Sequence, residues 1–257
     1  MKPVFGYLIA TLLSLFALNV HADDRDSKPF TASFNNCTEF VGVAPVDEIK
    51  ARALVPVDYQ LVTDEAGAKL VVRISNCQGI AVNHQRSQPG TVAHIGMMIY
   101  SPDGTATDPN TSINNYTLSY VSNIAGLVKA LSKQGVTAEL DTSLAYEVTP
   151  LNGLSEFYVS VSPDAAKVPD WSLYGSIKEP QIPSEFLANW WQLSRKGEVK
   201  MATTIPLIYF DFSSEVSFFT SRQNPIGALL GSNRIASFPL SFRGQFAAAE
   251  MVVSRSH

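Results

Sequence analysis

Apolar and polar residues alternate along much of the chain, and this period of two predicts a mainly β protein. The clearest case is 69–75, where Leu70, Val72 and Ile74 lie on one face and charged or smaller residues on the other. Turn residues follow several such segments, as at Pro102-Asp103-Gly104. On these grounds strands are predicted over 34–43, 59–62, 69–75, 92–100, 118–121, 136–148, 157–161, 171–177, 199–212, 216–220, 235–240 and 245–253.

Three short helices interrupt the predicted strands. One opens at Pro45 with acids in its first turn and ends before Pro56. A second runs from a cap at Asn123 to Gly135, with apolar residues at helical spacing. A third is predicted to begin at 183–185, and one further helical turn is predicted over 225–230. The apolar face of the third helix is formed by Phe186, Leu187, Trp190 and Trp191.

The pattern gives roughly ten to twelve strands without an internal repeat, a low-complexity linker or a change in composition. This favours one domain, from residue 33 to residue 257. So many strands in one domain must close or stack to protect their edges. The predicted fold is therefore mainly β: a single closed or cone-like antiparallel β-barrel with about three short helices at its ends or outer face.

The N-terminus has the features of a secretory signal peptide. Lys2 precedes an apolar run over 4–20, and Val20-His21-Ala22 leads into acidic residues. We expect cleavage after Ala22, a flexible lead-in over 23–32, and a secreted or periplasmic protein with no stable membrane anchor. The alternative is an uncleaved anchor, since a run of about 17 apolar residues can span a bilayer. No basic stop-transfer residues follow the run.

The chain contains two cysteines, Cys37 and Cys77. In an exported protein two cysteines are expected to form a disulfide. The alternative is a pair of separate buried thiols. Neither cysteine has a neighbour in sequence that would stabilise a thiolate, which a catalytic cysteine requires.

Composition narrows the choice of partner. Hydrophobic residues make up 46% of the 257 residues and charged residues 16%, with a net charge of −4. The chain can bury a large core but lacks the basic surface that a nucleic-acid partner requires. We expect a small-molecule ligand and no cofactor. The sequence does not indicate an oligomeric state.

The common catalytic motifs of hydrolases, zinc proteases, phosphate-binding loops and redox proteins are missing from the sequence. His94 lies on the same strand face as Val92 and is predicted to point into a cavity. A single histidine is too few for a metal site, so none is predicted. Arg73 is predicted to bind a ligand carboxylate through its planar guanidinium. The alternative is an ion pair at the barrel rim with Glu39 or Asp47.

Lys200 is the candidate catalytic residue, because a desolvated lysine can form a Schiff base with a carbonyl substrate. The alternative is an outward-facing lysine on a half-exposed strand. Trp190 is the candidate platform for a ring-shaped ligand, and the alternative is a core position. Adjacent tryptophans point in different directions, so Trp190 and Trp191 are not expected to share one environment.

The segments 43–49 and 54–61 resemble the opening of the acetoacetate-decarboxylase-like superfamily. There a strand leads into a short helix and then into a Leu-x-Pro-x-x-Tyr-like step, matched here by Leu54-Val55-Pro56-Val57-Asp58-Tyr59. The resemblance implies a cone-like β-barrel with a central cavity. Enzymes of that family decarboxylate β-keto acids through a Schiff-base lysine beside a second cation.

This sequence departs from the family pattern at the catalytic lysine. It has no Lys-Lys pair and no Gly-x-Pro-Lys-like context, and its nearest cationic pair is Arg195-Lys196. We therefore expect a barrel that binds a small apolar or keto-acid-like ligand without Schiff-base chemistry. One alternative is a decarboxylase-type lyase acting through a cavity lysine. Another is a non-catalytic surface interaction protein.

Overall fold

The computed structural model describes residues 28–163 and 170–256, most of which lie in β-strands. In chain order the elements are β1 (Phe30–Val46), α1 (Glu48–Arg52), β2 (Thr63–Asp64), β3 (Gly67–Val82), β4 (Gln88–Met98), β5 (Ser112–Ser122), α2 (Ala125–Gln134), β6 (Ala138–Leu140), β7 (Ala145–Leu151), β8 (Leu154–Val161), β9 (Trp171–Ile177), β10 (Ile182–Ser194), β11 (Gly197–Asp211), β12 (Glu215–Thr220), α3 (Pro225–Leu230), β13 (Arg234–Ile235) and β14 (Leu240–Ser256).

Seven long strands close into a barrel. Their order is β1-β14-β11-β10-β5-β4-β3, and β3 pairs back with β1. All neighbours in the barrel are antiparallel except β5 and β10, which run parallel. Closure pairs both edges of every barrel strand, which removes the exposed edges that promote aggregation. The predicted fold class, a closed β-barrel with three short helices, is confirmed.

A second, five-stranded sheet covers part of the outer face of the barrel. Its order is β13-β12-β9-β8-β7, and all its pairs are antiparallel. Phe157 from this sheet packs against Phe40 of the barrel, with ring centroids 5.4 Å apart. Alternation predicted these strands, but they were expected in the barrel, because alternation shows that a strand exists and does not show its partner.

The two faces of each barrel strand contribute to different apolar cores. Along β3, Leu70, Val72 and Ile74 face the layer between the barrel and the second sheet. Val71 and Cys77 face the barrel interior, where residues from all seven barrel strands meet. The predicted face of 69–75 is therefore confirmed. Because both faces are covered, the inward positions also carry apolar residues.

The helices begin and end close to the predicted positions. The Asp47 side chain caps α1 by accepting a hydrogen bond from the Lys50 amide at 2.9 Å. Gly135, with a positive φ of 100°, ends α2 as predicted. Ile124 occupies the N-cap of α2, while the Asn123 side chain binds the Thr91 amide instead. The apolar side of α2 packs into the interior core and closes one end of the barrel.

The predicted third helix is wrong: its residues form strand β10. Phe186, Leu187, Trp190 and Trp191 have helical spacing, which also describes a strand buried on both faces. β10 lies between β5 and β11, with the interior core on one side and the outer layer on the other. The single turn predicted over 225–230 is α3.

The first strand begins earlier than predicted. Phe30 and Ala32 already pair with Val253 and Met251 of β14, so the last residues of the predicted lead-in are part of the barrel. The predicted signal peptide and its cleavage site after Ala22 lie outside the described residues. Across 28–163 and 170–256, no helix is long and apolar enough to cross a bilayer.

Cys37 and Cys77 form a disulfide, as predicted. They are directly opposite each other on β1 and β3, with Cα atoms 4.0 Å apart. The bond therefore crosslinks two neighbouring barrel strands whose cysteines are 40 positions apart in sequence.

Candidate ligand-binding site

The barrel end opposite α2 opens into an apolar pocket of about 540 Å³, which we call the mouth pocket. No charged side chain is among its described lining residues. Loop residues 100–110 and the barrel ends form its walls. Its apolar lining consists mainly of Val43, Val62, Met98, Ile99, Ile113, Phe186, Phe210, Phe212, Leu240 and Phe242.

Four phenylalanines form one wall of the mouth pocket. The ring centroid of Phe210 lies 4.8 Å from that of Phe242, 5.8 Å from that of Phe186 and 5.8 Å from that of Phe212. The contacts of Phe210 with Phe186 and Phe242 are edge-to-face, an arrangement that aromatic rings favour. The wall is therefore built of rings that support one another and present an apolar surface to the pocket.

The loop between β4 and β5 forms the facing wall, and Lys200 holds it from outside the barrel. The Lys200 Nζ donates to Asp103 Oδ2 at 2.6 Å and to Thr105 Oγ1 at 2.8 Å. Burial raises the pKa of Asp103, but hydrogen bonds from Lys200, Thr105 and Ser101 outweigh it and hold that pKa below its usual range. The carboxylate therefore stays ionised and the loop stays tethered near neutral pH.

Lys200 lies on the outer face of β11. Its neighbours Val199 and Met201 face the interior core, and its Nζ lies 4.9 Å from the ring centroid of Trp191, in the outer layer. An ammonium engaged by a carboxylate is not the desolvated amine that Schiff-base formation requires. The catalytic role of Lys200 stays a prediction, and this position does not favour it.

Arg73 lies inside the barrel in an ion pair with Glu39. Its Nε and Nη2 donate to Glu39 Oε2 at 2.9 and 2.7 Å, and Ser75 Oγ donates to the same oxygen at 2.9 Å. Glu39 is 1% exposed and Arg73 7%. The partner is one of the two considered from the sequence, but the pair is buried in the interior. A ligand carboxylate would have to compete with Glu39 for the guanidinium.

His94 and Trp190 also face the interior, next to this ion pair. His94 is directly opposite Arg73 on β3 and Tyr120 on β5. Its ring centroid lies 4.1 Å from that of Tyr120 and 4.6 Å from that of Trp190. Burial, with a contribution from the Arg73 charge, lowers the pKa of His94 well below 6.5. The imidazole is therefore neutral at physiological pH.

The structure thus brings Arg73, His94 and Trp190 together and places Lys200 elsewhere. None of the first three lines the mouth pocket. Of the mouth phenylalanines, Phe186 was named only in the apolar face of the predicted third helix, and the other three were not singled out from the sequence. Phe210 and Phe212 stand two positions apart in a predicted strand, and this spacing on one face is the local signal that could have indicated them.

Metal ligands do not cluster in the part of the chain that the structure describes. No group of three or more His, Cys, Asp or Glu side chains there has the proximity that a metal ion requires.

The burial of His94 leads to a prediction for pH dependence. Unfolded His94 gains a proton below about pH 6.5, whereas the folded residue resists protonation, so the folded state loses stability as pH falls. The free energy of unfolding is expected to fall by up to about 1.4 kcal/mol per pH unit. Denaturant unfolding between about pH 8 and about pH 5 measures this slope.

The matched variants are His94→Phe and His84→Phe. His94→Phe keeps an aromatic ring in the interior and is expected to flatten the slope, whereas His84→Phe at an exposed turn position is expected to retain it. An identical slope in the wild type and His94→Phe would contradict the assignment of the acid sensitivity to His94.

The fold of this chain is similar to that of several solved structures. No family model matches the sequence, and no curated protein matches it significantly. A solved acetoacetate decarboxylase aligns with 90% of each chain at 11% identity and a TM-score of 0.55. The enduracididine biosynthesis enzyme MppR, solved with pyruvate, aligns with 88% of each chain at 12% identity and a TM-score of 0.54.

An acetoacetate-decarboxylase-like enzyme from Sphingomonas wittichii RW1 aligns with 90% of this chain and 94% of its own, at 5% identity and a TM-score of 0.54. This chain therefore shares the fold of these three solved structures. At these identities the likeness concerns the fold alone. The Arg195-Lys196 pair was the nearest match in the sequence to a lysine beside a second cation. It lies in the turn between β10 and β11.

Proposed function

We propose that this chain is an exported barrel protein of acetoacetate-decarboxylase-like fold that binds a small, uncharged, largely apolar ligand without Schiff-base chemistry. The observation that carries the proposal is the mouth pocket: a cavity of about 540 Å³ with apolar walls and no charged side chain among its described lining residues.

The size and chemistry of the mouth pocket match those of small-molecule sites. Such sites occupy roughly 300–1,000 Å³ and combine apolar walls with a few polar groups that orient the ligand. The phenylalanine wall supplies apolar contact, and Asn110 and Asn114 are among the polar lining residues. Burial of apolar ligand surface against these walls supplies the affinity.

The same lining argues against an ionised keto acid. A carboxylate that enters the mouth pocket loses hydration, and a buried charge without a partner is strongly unfavourable. No cationic side chain is among the lining residues that the structure describes, and the interior guanidinium of Arg73 is engaged by Glu39. No lysine is present among the described lining residues, so the lyase alternative gains no support from this site.

Export of the protein is part of the proposal. The Cys37–Cys77 disulfide is consistent with an oxidising compartment, where such bonds form and persist. The apolar run over 4–20 and the acidic residues after Ala22 are typical of a cleaved signal peptide. These two features together support the proposal of a secreted or periplasmic location.

Binding can be tested with N-phenyl-1-naphthylamine, an uncharged fluorophore that brightens in apolar surroundings. The wild type is expected to bind it, and Leu240→Asp to weaken binding by about tenfold or more, through lost contact and an introduced charge. Leu151→Asp is the matched control, because Leu151 lies in β7, away from the pocket. Leu240 is 52% exposed and Leu151 is 58% exposed, so both variants are expected to fold.

Equal fluorophore affinities in the wild type, Leu240→Asp and Leu151→Asp would overturn the proposal, as would the lack of binding by the wild type. Incubation with acetoacetate and borohydride tests the lyase alternative on the same protein. A covalent adduct on a lysine would replace the binding proposal with Schiff-base chemistry, and unmodified lysines are expected.

A further inference from the structure

Six buried polar atoms of four described residues, on the interior faces of β4, β5 and β10, have no hydrogen-bond partner. They are both amide atoms of Asn115, both ring nitrogens of His94, the hydroxyl of Tyr120 and the indole nitrogen of Trp190. Their residues are between 0% and 2% exposed. We call these four residues the interior polar layer.

The members of this layer are neighbours in space. The His94 ring contacts the rings of Tyr120 and Trp190, and Asn115 is opposite Trp190 in the parallel pairing of β5 with β10. All four come from adjacent strands of the barrel, β4, β5 and β10. The unpartnered atoms therefore follow one side of the barrel interior, from Asn115 near the mouth to His94 and Tyr120 deeper along β4 and β5.

Asn115 links this layer to the mouth pocket. Ile113 lines the pocket and lies two residues before Asn115, on the same face of β5. Met98, opposite Asn115 on β4, lines the pocket as well. A ligand that extends from the pocket past Ile113 and Met98 therefore meets the Asn115 amide first. Met98 is partly buried and unbranched, so its side chain can yield to such a ligand.

Unpartnered buried polar groups are costly to a protein. Each costs about 1–3 kcal/mol, and native proteins leave few of them. The preceding residue, Asn114, shows the usual outcome. It donates to the Ala106 carbonyl at 2.8 Å and accepts from Asn189 Nδ2 and Trp191 Nε1 at 3.0 and 3.3 Å. The side chain of Asn114, on the outward face of β5, is therefore hydrogen-bonded within the fold. The side chain of Asn115, on the inward face, has no such partner.

The electrostatics of the layer select an uncharged ligand group. The adjacent Arg73–Glu39 pair is neutral as a unit, and His94 is held neutral by burial and by the Arg73 charge. The Asn115 amide, the Trp190 indole and the Tyr120 hydroxyl can all donate, and burial keeps the Tyr120 hydroxyl protonated by raising its pKa. Each of these donors suits a carbonyl oxygen, which accepts hydrogen bonds through two lone pairs.

We propose that the interior polar layer binds the carbonyl group of an apolar ketone or aldehyde whose hydrocarbon part fills the mouth pocket. Asn115 is the residue that contacts the carbonyl oxygen first. This inference rests on the proposed function and names the ligand class of that site. It requires no covalent step, since the carbonyl oxygen accepts hydrogen bonds and leaves with its bonds unchanged.

The test compares acetophenone with ethylbenzene, which has a similar shape without the carbonyl group. Isothermal titration calorimetry of the full chain is expected to show binding of both. Asn115→Leu, which keeps the side-chain size, is expected to weaken acetophenone binding by about tenfold and to leave ethylbenzene binding unchanged. Tyr120→Phe, which removes one hydroxyl, gives a second measurement of the same ratio.

Thermal unfolding without ligand separates a binding role from a structural one. Asn115→Leu removes unpartnered atoms and is expected to leave the unfolding temperature unchanged or higher. Asn114→Leu removes three hydrogen bonds and is expected to lower it. A lower unfolding temperature for Asn115→Leu would identify its amide as a structural group and overturn the inference.

The binding results separate this inference from the proposed function. If ethylbenzene binds and both variants keep the wild-type ratio of the two affinities, the inference is wrong and the mouth pocket remains a binding site. If neither compound binds the wild type, the proposed function fails and the inference fails with it. A selective loss of acetophenone binding in either variant supports the inference.

Discussion

Arg73→Met is expected to lower the free energy of unfolding by about 3–5 kcal/mol, because it leaves a buried carboxylate without its partner. Glu39 is 1% exposed and accepts two hydrogen bonds from the Arg73 guanidinium. After the substitution only the Ser75 hydroxyl remains among its hydrogen-bond partners described above. Equilibrium denaturation in urea at neutral pH measures the loss.

Two further variants show where the energy comes from. Arg73→Met with Glu39→Leu removes both charges and is expected to recover much of the stability, since an apolar pair of similar volume can replace a buried ion pair. Lys69→Met breaks the Lys69–Asp64 pair, whose aspartate is 59% exposed, and a far smaller loss is expected. A loss for Arg73→Met no greater than that for Lys69→Met would contradict the buried-pair argument.

Replacing both Cys37 and Cys77 by serine is expected to lower the free energy of unfolding by about 4 kcal/mol. The disulfide closes a loop with a sequence separation of 40, and the loss of this constraint increases the entropy of the unfolded chain. Denaturation of the wild type under reducing conditions should reproduce the result, since it removes the same crosslink. Coinciding transitions for the oxidised wild type and the double variant would show that the bond adds no stability.

The sequence predicted what depends on local pattern. The alternation of Leu70, Val72 and Ile74 gave the correct face of β3, and Gly135 gave the correct end of α2. Strand β10 was mistaken for a helix because burial on both faces removes the alternation that identifies a strand. The division of the strands into a barrel and a second sheet depends on pairing between distant segments, which alternation does not report.

For the candidate site, too, the sequence predicted only what depends on local pattern. Parity on a strand indicated that His94 points inward, and the strand face that Arg73 shares with Val71 indicated a buried or cavity-facing guanidinium. The sequence left open which face of its strand Lys200 occupies, and in the structure β11 alternates between buried interior positions and half-buried or exposed outer positions. The mouth pocket draws its wall from β1, β4, β5, β10, β11 and β14, so only the closed barrel brings those side chains together.

The parallel pairing of β5 with β10 constrains the route of the chain. β5 ends at Ser122 beside α2, and β10 must start again at the mouth, so the intervening segment has to return along the full length of the barrel. That return passage contains β7, β8 and β9, three of the five strands of the second sheet. The second sheet is thus formed largely by the connection that allows β5 and β10 to pair in parallel. A shortened chain without it would need another bridge between the same two ends.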